Sequence, residues 1–395
     1  MTAGATVLVL NCGSSSIKYE LVEPDTGRRR AHGIVERIGQ SGARLHHTSN
    51  DHERDRSVDA PGHRRALAHI LHAFETDGPA LNNSALAGVG HRVVMGGVEF
   101  SQPTLIDDAV ETAIETLSPL APLHNPANLA GIRVARTAMP QIPHVAVFDT
   151  AFFADLPDEA TTYAIDRTIA AAHGIRRYGF HGTSHRYVSG RVAELLGRND
   201  LRQIVLHLGN GASAAAVVGG RPMATTMGLT PLEGLVMGSR SGDLDPAIVL
   251  YLQRAAGLSV DEVDTLLNRH SGLVGLTGHS DMRDVHAGAE GGDDAARLAL
   301  DVYVRRIKHY VGGYAAIMGG IDALTFTAGV GEHDAGIRAR VVDGLGFLGL
   351  RIDPGRNRSG DGERVVSPDG ATASVLVVPT DEELAIAHDT LSVVG

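Results

Sequence analysis

The sequence predicts an α/β protein in which one plan is used twice, each half opening on a strand, a polar glycine turn and a returning strand. Three observations predict it. The chain begins Val7-Leu-Val-Leu-Asn-Cys-Gly-Ser-Ser-Ser-Ile-Lys-Tyr19, an apolar run that breaks at Asn11, Gly13 and three serines and resumes from Ile17 to Val22. The second half repeats the device as Gln203-Ile-Val-Leu-His-Leu-Gly-Asn-Gly-Ala-Ser-Ala-Ala-Ala-Val217, with Gly209, Asn210, Gly211 and Ser213 between two apolar runs. After each turn, short apolar strands alternate with helical patterns, the signature of layered α/β sheets. Clustered N–H groups and hydroxyls at a strand end suit phosphate. The competing reading of each turn is a plain hairpin connection.

In the first half, Gly33 to Ile38 reads as a strand, and Arg28-Arg-Arg30 sits in a turn after Pro24-Asp-Thr-Gly27. Ala43 to Pro61 is polar and charged and reads as a surface loop. Ala66, Leu67, Ile70, Leu71 and Phe74 give a helix from Arg64 to Glu75. Ala87 to Val94 is a buried strand running into Gly96-Gly97. Asp107 to Leu117 is a helix with an acidic first turn, Pro119 to Pro126 is proline-broken, and Ala127 to Ala138 is a helix. His144 to Phe148 is a buried strand ending at Asp149-Thr150, where a domain boundary is placed.

The second half has strands at Ile204 to Leu208 and Ala212 to Val218 and helices at Asp245 to Ala256 and Val260 to Asn268. A long helix over Asp294 to Met318 has Leu298, Leu300, Val302, Ile307, Val311 and Ile317 as its apolar positions. Asp322 to Phe326 is a strand entering Thr327-Ala-Gly-Val-Gly-Glu332, Ala335 to Leu345 is helical, and Ser374 to Val378 is a strand stopped by Pro379, with a helix from Glu382.

Bulk properties narrow the function. At 395 residues the chain exceeds one ordinary core. A net charge of -11 argues against a nucleic-acid or anionic-membrane partner. The single cysteine, Cys12, excludes an intrachain disulfide and fits a reducing compartment. The N-terminus lacks a signal-peptide pattern and no apolar run reaches a membrane span, so the expected location is the cytoplasm. The only lysines are Lys18 and Lys308, and neither closes a G-x-x-x-x-G-K-[ST] loop, which excludes a P-loop NTPase. Gly329-Val-Gly331 lacks the third glycine of a dinucleotide fingerprint. A phosphate-handling protein of this kind must rely on glycine turns, a metal ion and arginines.

Two arginines are candidates. Arg92 ends a buried strand beside Gly96-Gly97, and Arg240 lies in Met237-Gly-Ser-Arg-Ser-Gly-Asp243. Each is either a bidentate clamp for phosphate or carboxylate or one half of a structural salt bridge. In Arg177-Tyr-Gly-Phe-His-Gly-Thr-Ser-His185, His181 and His185 share a face if a helix starts at Thr183. That reads as one histidine donating to a charged oxygen and the other satisfying backbone, with zinc ligation the weaker alternative. Asp149 is either a ligand-facing strand end or a helix N-cap. Pro379-Thr-Asp-Glu-Glu383 resembles a capping box, one of whose carboxylates could hold Mg²⁺ through water.

Asn11-Cys-Gly-Ser-Ser-Ser-Ile-Lys-Tyr, Gly179-Phe-His-Gly-Thr-Ser-His, His207-Leu-Gly-Asn-Gly-Ala-Ser, Thr230-Pro-Leu-Glu-Gly and Phe326-Thr-Ala-Gly-Val-Gly-Glu together resemble the acetate kinase family, from the first strand to the last helix. The resemblance implies two duplicated ribonuclease-H-like, actin-like ATPase domains with the active site in the cleft between them. They would be residues 1–150, completed by a C-terminal helix at about 384–395, and residues 151–383. It also implies a homodimer, and Mg²⁺-dependent (Mn²⁺ as a substitute), reversible phosphoryl transfer between ATP and acetate. Arg92 and Arg240 would hold the transferring phosphoryl, His181 would stabilise it, and Asn11, Asp149 and Glu382 would organise Mg²⁺. Val94, Leu123, Phe180 and Pro231 would enclose the acetate methyl. Ser14, Ser16, Lys18, His207, Leu208, Gly209, Asn210 and Gly211 would serve the ATP phosphates, and Asp281, Met282, Arg283, Gly329, Val330, Gly331, Glu332 and His333 the rest of the nucleotide. Departures from the family pattern are Cys12 for alanine, Met95 for histidine, Ala224 for aspartate and His333 for asparagine, the last bearing on base preference.

The chemistry agrees. Acetate, like a Glu carboxylate with its pKa of about 4.3, is ionised at neutral pH and needs no general base, unlike the hydroxyl acceptor of a sugar kinase. The difficulty is charge, which two arginines, a histidine and a metal would neutralise for direct in-line transfer. The rivals are a kinase for propionate or another short acid and, from a different class, an ATP-driven binding module of the chaperone or actin type.

Overall fold

The computed structural model describes residues 4–49, 52–81 and 86–395. The chain divides into two compact units, one taking the chain up to Ala154 together with Asp381–Gly395, the other Asp155–Thr380.

In the first unit, β1 (Thr6–Cys12), β2 (Ser16–Glu23), β3 (Arg28–Glu36), β4 (Arg44–Ser49) and β5 (His52–Ser57) form an antiparallel meander. β6 (Leu86–Val93) pairs parallel with β1, β8 (His144–Phe148) parallel with β6, and β7 (Thr104–Leu105) closes the edge, giving the order β5-β4-β3-β2-β1-β6-β8-β7. Strand alternation sends Leu8, Leu10 and Cys12 to one face, where they pack with α1 (His63–Thr76) and α3 (Asn125–Ala138). α2 (Asp108–Leu117), whose N-cap Asp107 accepts from the Val110 N–H, packs on α3. Val7, Val9, Val145 and Val147 go to the other face and meet Ile386 and Ala387 of the C-terminal helix Glu382–Val394.

That helix lies close because Gly88 and Gly90 of β6 present no side chain to it. A Cβ on Gly90 would fall 2.5 Å from Thr390 Oγ1 and 2.7 Å from Ile386 Cγ2. The sequence spacing marks Ala43 to Pro61 as a loop, but β4 and β5 occupy most of it. β5 is the edge strand and β4 lies between it and β3, and a polar hairpin whose outer strand is charged looks like a loop in one dimension. Arg28 to Arg30 likewise open β3 rather than a turn.

The second unit repeats the plan. β9 (Arg202–Leu208), β10 (Ala212–Val218) and β11 (Arg221–Thr225) form the meander; β12 (Ala323–Thr327) pairs parallel with β9 and β14 (Ser374–Val377) parallel with β12; β13 (Arg364–Val365) is the antiparallel edge. The order is β11-β10-β9-β12-β14-β13. The helices are α4 (Asp158–Thr161), α5 (Arg167–Ala172), α6 (Gly182–Leu196), α7 (Pro246–Ala255), α8 (Val260–Arg269), α9 (Gly272–Thr277), α10 (Met282–Glu290), α11 (Asp294–Ile317), α12 (Ala328–His333), α13 (Ala335–Val342) and α14 (Pro354–Arg358), which makes the C-terminal helix of the first unit α15. Val188 and Val192 of α6 cover Val205, Ala323 and Leu376. In α11, Leu300, Ile307 and Val311 are buried as the periodicity predicts, whereas Leu298 and Ile317 are more than half exposed. Among the described residues no helix is long and apolar enough to cross a membrane.

Candidate active site

In the first unit, strand parity builds the site. Asn11 follows Val7 and Val9, Arg92 follows Gly88 and Gly90, and Asp149 follows Val145 and Val147, so all three fall at the carboxyl ends of adjacent parallel strands on the face that α15 covers. Ligands collect at such strand ends. Asp149 is 1% exposed, and its two oxygens accept from Arg92 Nε (2.9 Å) and Nη2 (2.6 Å). Glu382, the first residue of α15, has its Oε2 at 3.7 Å from Arg92 Nε. Two carboxylates thus share one guanidinium. Burial alone would lower the pKa of Arg92, but Asp149 and then Glu382 outweigh it and raise the pKa. Burial, against the pull of Arg92 and with a push from Asp149, raises the Glu382 carboxyl, and Lys18 lowers it slightly.

Asp149 is therefore an ion-pair partner, not a helix N-cap. The N-cap of α15 is Asp381, which accepts from the Leu384 N–H at 3.0 Å. Lys18 pairs in register with Asn11, so both stand on the same face of the β1–β2 hairpin.

The opening turn is braced rather than loose. The Gly13 N–H donates to the Ser16 carbonyl (2.8 Å), His63 Nε2 lies 2.8 Å from the Gly13 carbonyl, and Asn128 Nδ2 donates to the Cys12 carbonyl (2.7 Å). Ser14 is exposed and Ser16 half-buried. Cys12 is buried against Gly131, and burial pushes its thiol up to about 12, so it is inert. Val94 and Met95 are held by Asn128 and Asn125 through their N–H groups. Val94 is buried, while Leu123 is 39% exposed.

In the second unit the equivalent strand ends carry neutral groups. His207 of β9 faces Ser213 of β10 in register. His181 takes the N-cap position of α6 with a left-handed φ of 58°, which stacks its ring on His207 with centroids 4.2 Å apart. His181 Nδ1 lies 3.0 Å and His185 Nε2 2.7 Å from Ser213 Oγ, so both histidines meet one hydroxyl where the sequence reading has one of them on backbone. Burial, with His207 adding, pushes His185 well below its ordinary value.

Arg240 lies against this group: a Cβ on Gly211 would fall 2.8 Å from Arg240 Nη2 and 3.4 Å from His181 Cε1. Nη1 of Arg240 donates to the Pro231 carbonyl (2.7 Å), and Phe180 beside His181 is 1% exposed. Among the described residues Arg240 forms no ion pair, and burial pushes it down to about 10.

A cavity of about 1170 Å³ runs from the β9–β10 turn along α10. Gly209, Asn210, Asp281, Met282, Arg283, Gly329, Val330 and His333, all nucleotide candidates from the sequence, line it. Gly238 packs close to Asn210 and the Ser280 carbonyl. His207, Leu208, Gly211, Gly331 and Glu332 are not among its lining residues. Glu332 Oε1 accepts from the Thr380 N–H (3.3 Å), and Ser184 joins Thr380 (2.8 Å) to His207 (2.8 Å). Sequence reasoning misses His286, Glu290, Tyr303 and Asp334, which also line the cavity. His286 Nε2 lies 2.7 Å from Asp334 Oδ2. The helical spacing of Met282, His286 and Glu290 is the signal that could have found two of them.

Two strand–turn–strand motifs on duplicated α/β sheets, with a nucleotide-sized cavity and an arginine that has no acid partner among the described residues, fit the class of phosphotransferases. The similar proteins are named for carboxylate acceptors. The chain is 57% identical over 394 residues to acetate kinase of Leifsonia xyli subsp. xyli, with 99% of each chain covered. It superposes on the crystal structure of Porphyromonas gingivalis acetate kinase with a TM-score of 0.93 at 43% identity, covering 99% of this chain and 100% of that one. A propionate kinase from Francisella tularensis subsp. tularensis also gives 0.93, at 39% identity and 98% and 99% coverage. The acetokinase family model matches residues 6–388, and the chain belongs to that family.

Proposed function

We propose that this protein transfers the γ-phosphoryl group of ATP to acetate, reversibly, giving acetyl phosphate and ADP. The observation that carries the reading is Arg240, a half-buried guanidinium without a carboxylate partner among the described residues, set against Gly211 and His181 beside the turn whose Gly209 and Asn210 line the cavity. A cation in that state favours an incoming anion. The relatives' names supply the acceptor.

The cavity receives the nucleoside, with the phosphates toward Asn210 and Gly211. Arg240 and His181 are assigned to the phosphoryl oxygens, as is Arg92, which Asp149 keeps in place. The acceptor arrives ionised, so no residue needs to take its proton. Charge neutralisation away from water is the catalytic contribution.

The residues present fit a divalent cation. Buried Asp149 and half-buried Glu382 share one guanidinium, which leaves an excess negative charge, and no group of three or more His, Cys, Asp or Glu side chains among the described residues could cage a metal. Mg²⁺ suits this, since it keeps waters and takes one or two carboxylates plus substrate phosphates. Glu382 and Asn11 would hold it, with Asp149 acting through water, and bound there it would offset phosphate charge. The apolar residues assigned to the acetate methyl are Val94, Leu123, Phe180 and Pro231.

A cytoplasmic homodimer belongs to the same proposal. Its support is α7, none of whose residues is buried and which exposes Ile248, Leu250 and Tyr251.

The decisive experiment measures ADP release with ATP and Mg²⁺, with and without acetate, beside hydroxamate trapping with acetate and with propionate. Acetate-dependent ADP release with the higher kcat/KM for acetate is expected. Preference for propionate would move the chain to the activity named for the Francisella relative. ADP release indifferent to either acid would refute the reading.

A further inference from the structure

Arg338 of α13 is among the largest fully buried side chains, at 1% exposure, and among the described residues it forms no ion pair. Every one of its nitrogens donates: Nε to Asn357 Oδ1 (2.7 Å), Nη2 to the Asn357 carbonyl (2.6 Å), and Nη1 to the carbonyls of Gly331 (2.9 Å) and Glu332 (2.8 Å). An apolar side chain of similar volume would fill such a site at lower cost than a buried unpaired charge. What only the guanidinium supplies is the fixed direction of two carbonyls.

Those carbonyls belong to α12, the six-residue helix whose Gly329, Val330 and His333 line the cavity. α12 cannot hold itself. Its first residue, Ala328, sits at φ 64°, a left-handed conformation unfavourable for alanine, and one short turn has little cooperativity. Asn357 of α14 backs the guanidinium and is anchored by its own Nδ2, which donates to the Ala335 carbonyl at 2.8 Å.

We propose that Arg338 is a positioning residue for the nucleotide: it holds α12 in the orientation that Gly329, Val330 and His333 need to contact ATP or ADP. This rests on reading the cavity as the nucleotide site.

The test compares the full chain with Arg338→Met and Arg338→Lys by calorimetric ADP binding, steady-state kinetics and melting temperature. Arg338→Met is expected to weaken ADP binding and raise the KM for ATP about tenfold, leaving the KM for acetate and kcat within about twofold. Arg338→Lys, which can reach one carbonyl but not both, should recover part of the loss. ADP binding unchanged in Arg338→Met overturns the proposal, as does an equal rise in both KM values. If Arg338→Met does not fold, Asn357→Ala tests the same idea, with about threefold weaker ADP binding expected and unchanged binding counting against it. Because ADP binding needs no acetate, a wild-type chain that binds ADP without phosphorylating acetate fails the acceptor reading alone.

Discussion

The two units set the same backbone device to different chemical use. Asn11 and His207 occupy the same place, one residue before the last of β1 and of β9, each followed by a residue and then a glycine. Their register partners are Lys18 and Ser213. The first unit places charge at its strand ends, Arg92 and Asp149, with Glu382 added from α15. The second has His207, Ser213 and Thr327 there and brings Arg240 in on a loop, with no acid partner among the described residues. A shared strand plan therefore holds an ion-paired arginine in one unit and one without such a pair in the other. The difference is in what each arginine leaves behind when it is removed.

That contrast yields the largest expected effects. Arg240→Met should lower kcat by about 10²–10³-fold while the melting temperature changes little, since the half-buried charge it removes has no acid partner among the described residues. Arg92→Met should lower the rate and also destabilise the fold by about 3–5 kcal/mol, since Asp149 is left buried without its partner. Thermal melts beside initial rates decide it, and equal destabilisation in both variants would erase the distinction.

Glu382→Gln sharpens the metal side. The Mg²⁺ concentration for half-maximal rate should rise about tenfold or more, whereas Asp334→Asn in the second unit should leave it unchanged. Val94→Ala should narrow the preference for acetate over propionate by about tenfold in kcat/KM, since removing two carbons leaves room for the one extra methylene of propionate.

The smallest effect is on pH. Burial, opposed by Arg29 and aided by Glu383 and Asp381, pushes the Glu20 carboxyl up from 4.5 to about 7. The native state then holds that proton more tightly than the unfolded chain. Its contribution, at most ~3 kcal/mol, is complete below pH 4.5 and lost as pH rises through about 7. Melting curves between pH 5 and 8 should fall less in Glu20→Gln than in the wild type.

Much of this architecture is legible in the residues. Parallel strands buried on both faces are continuous apolar runs, so β1, β6, β8, β9 and β12 announce themselves. β4 and β5 do not, because a polar hairpin closed by a charged edge strand, β5, shares its composition with a loop. Asn11, Arg92 and Asp149 can each be suspected singly, but only the register shows that they share one face. His286 and Arg338 are invisible for another reason: a lone histidine or arginine on a helix looks like a solvated side chain until the packing of α12 and α13 is known.

Gly88 and Gly90 carry one more consequence. The smooth face they create on β6 is filled by α15, which is synthesised after the whole of the second unit. The second unit can close as soon as residue 380 has left the ribosome, whereas the first must wait with Val7, Val9, Val145 and Val147 uncovered. The unit that begins first is completed last. Glu382 arrives on that same closing helix, so a chain whose synthesis stops short lacks both the cover of its first core and the carboxylate assigned to the metal.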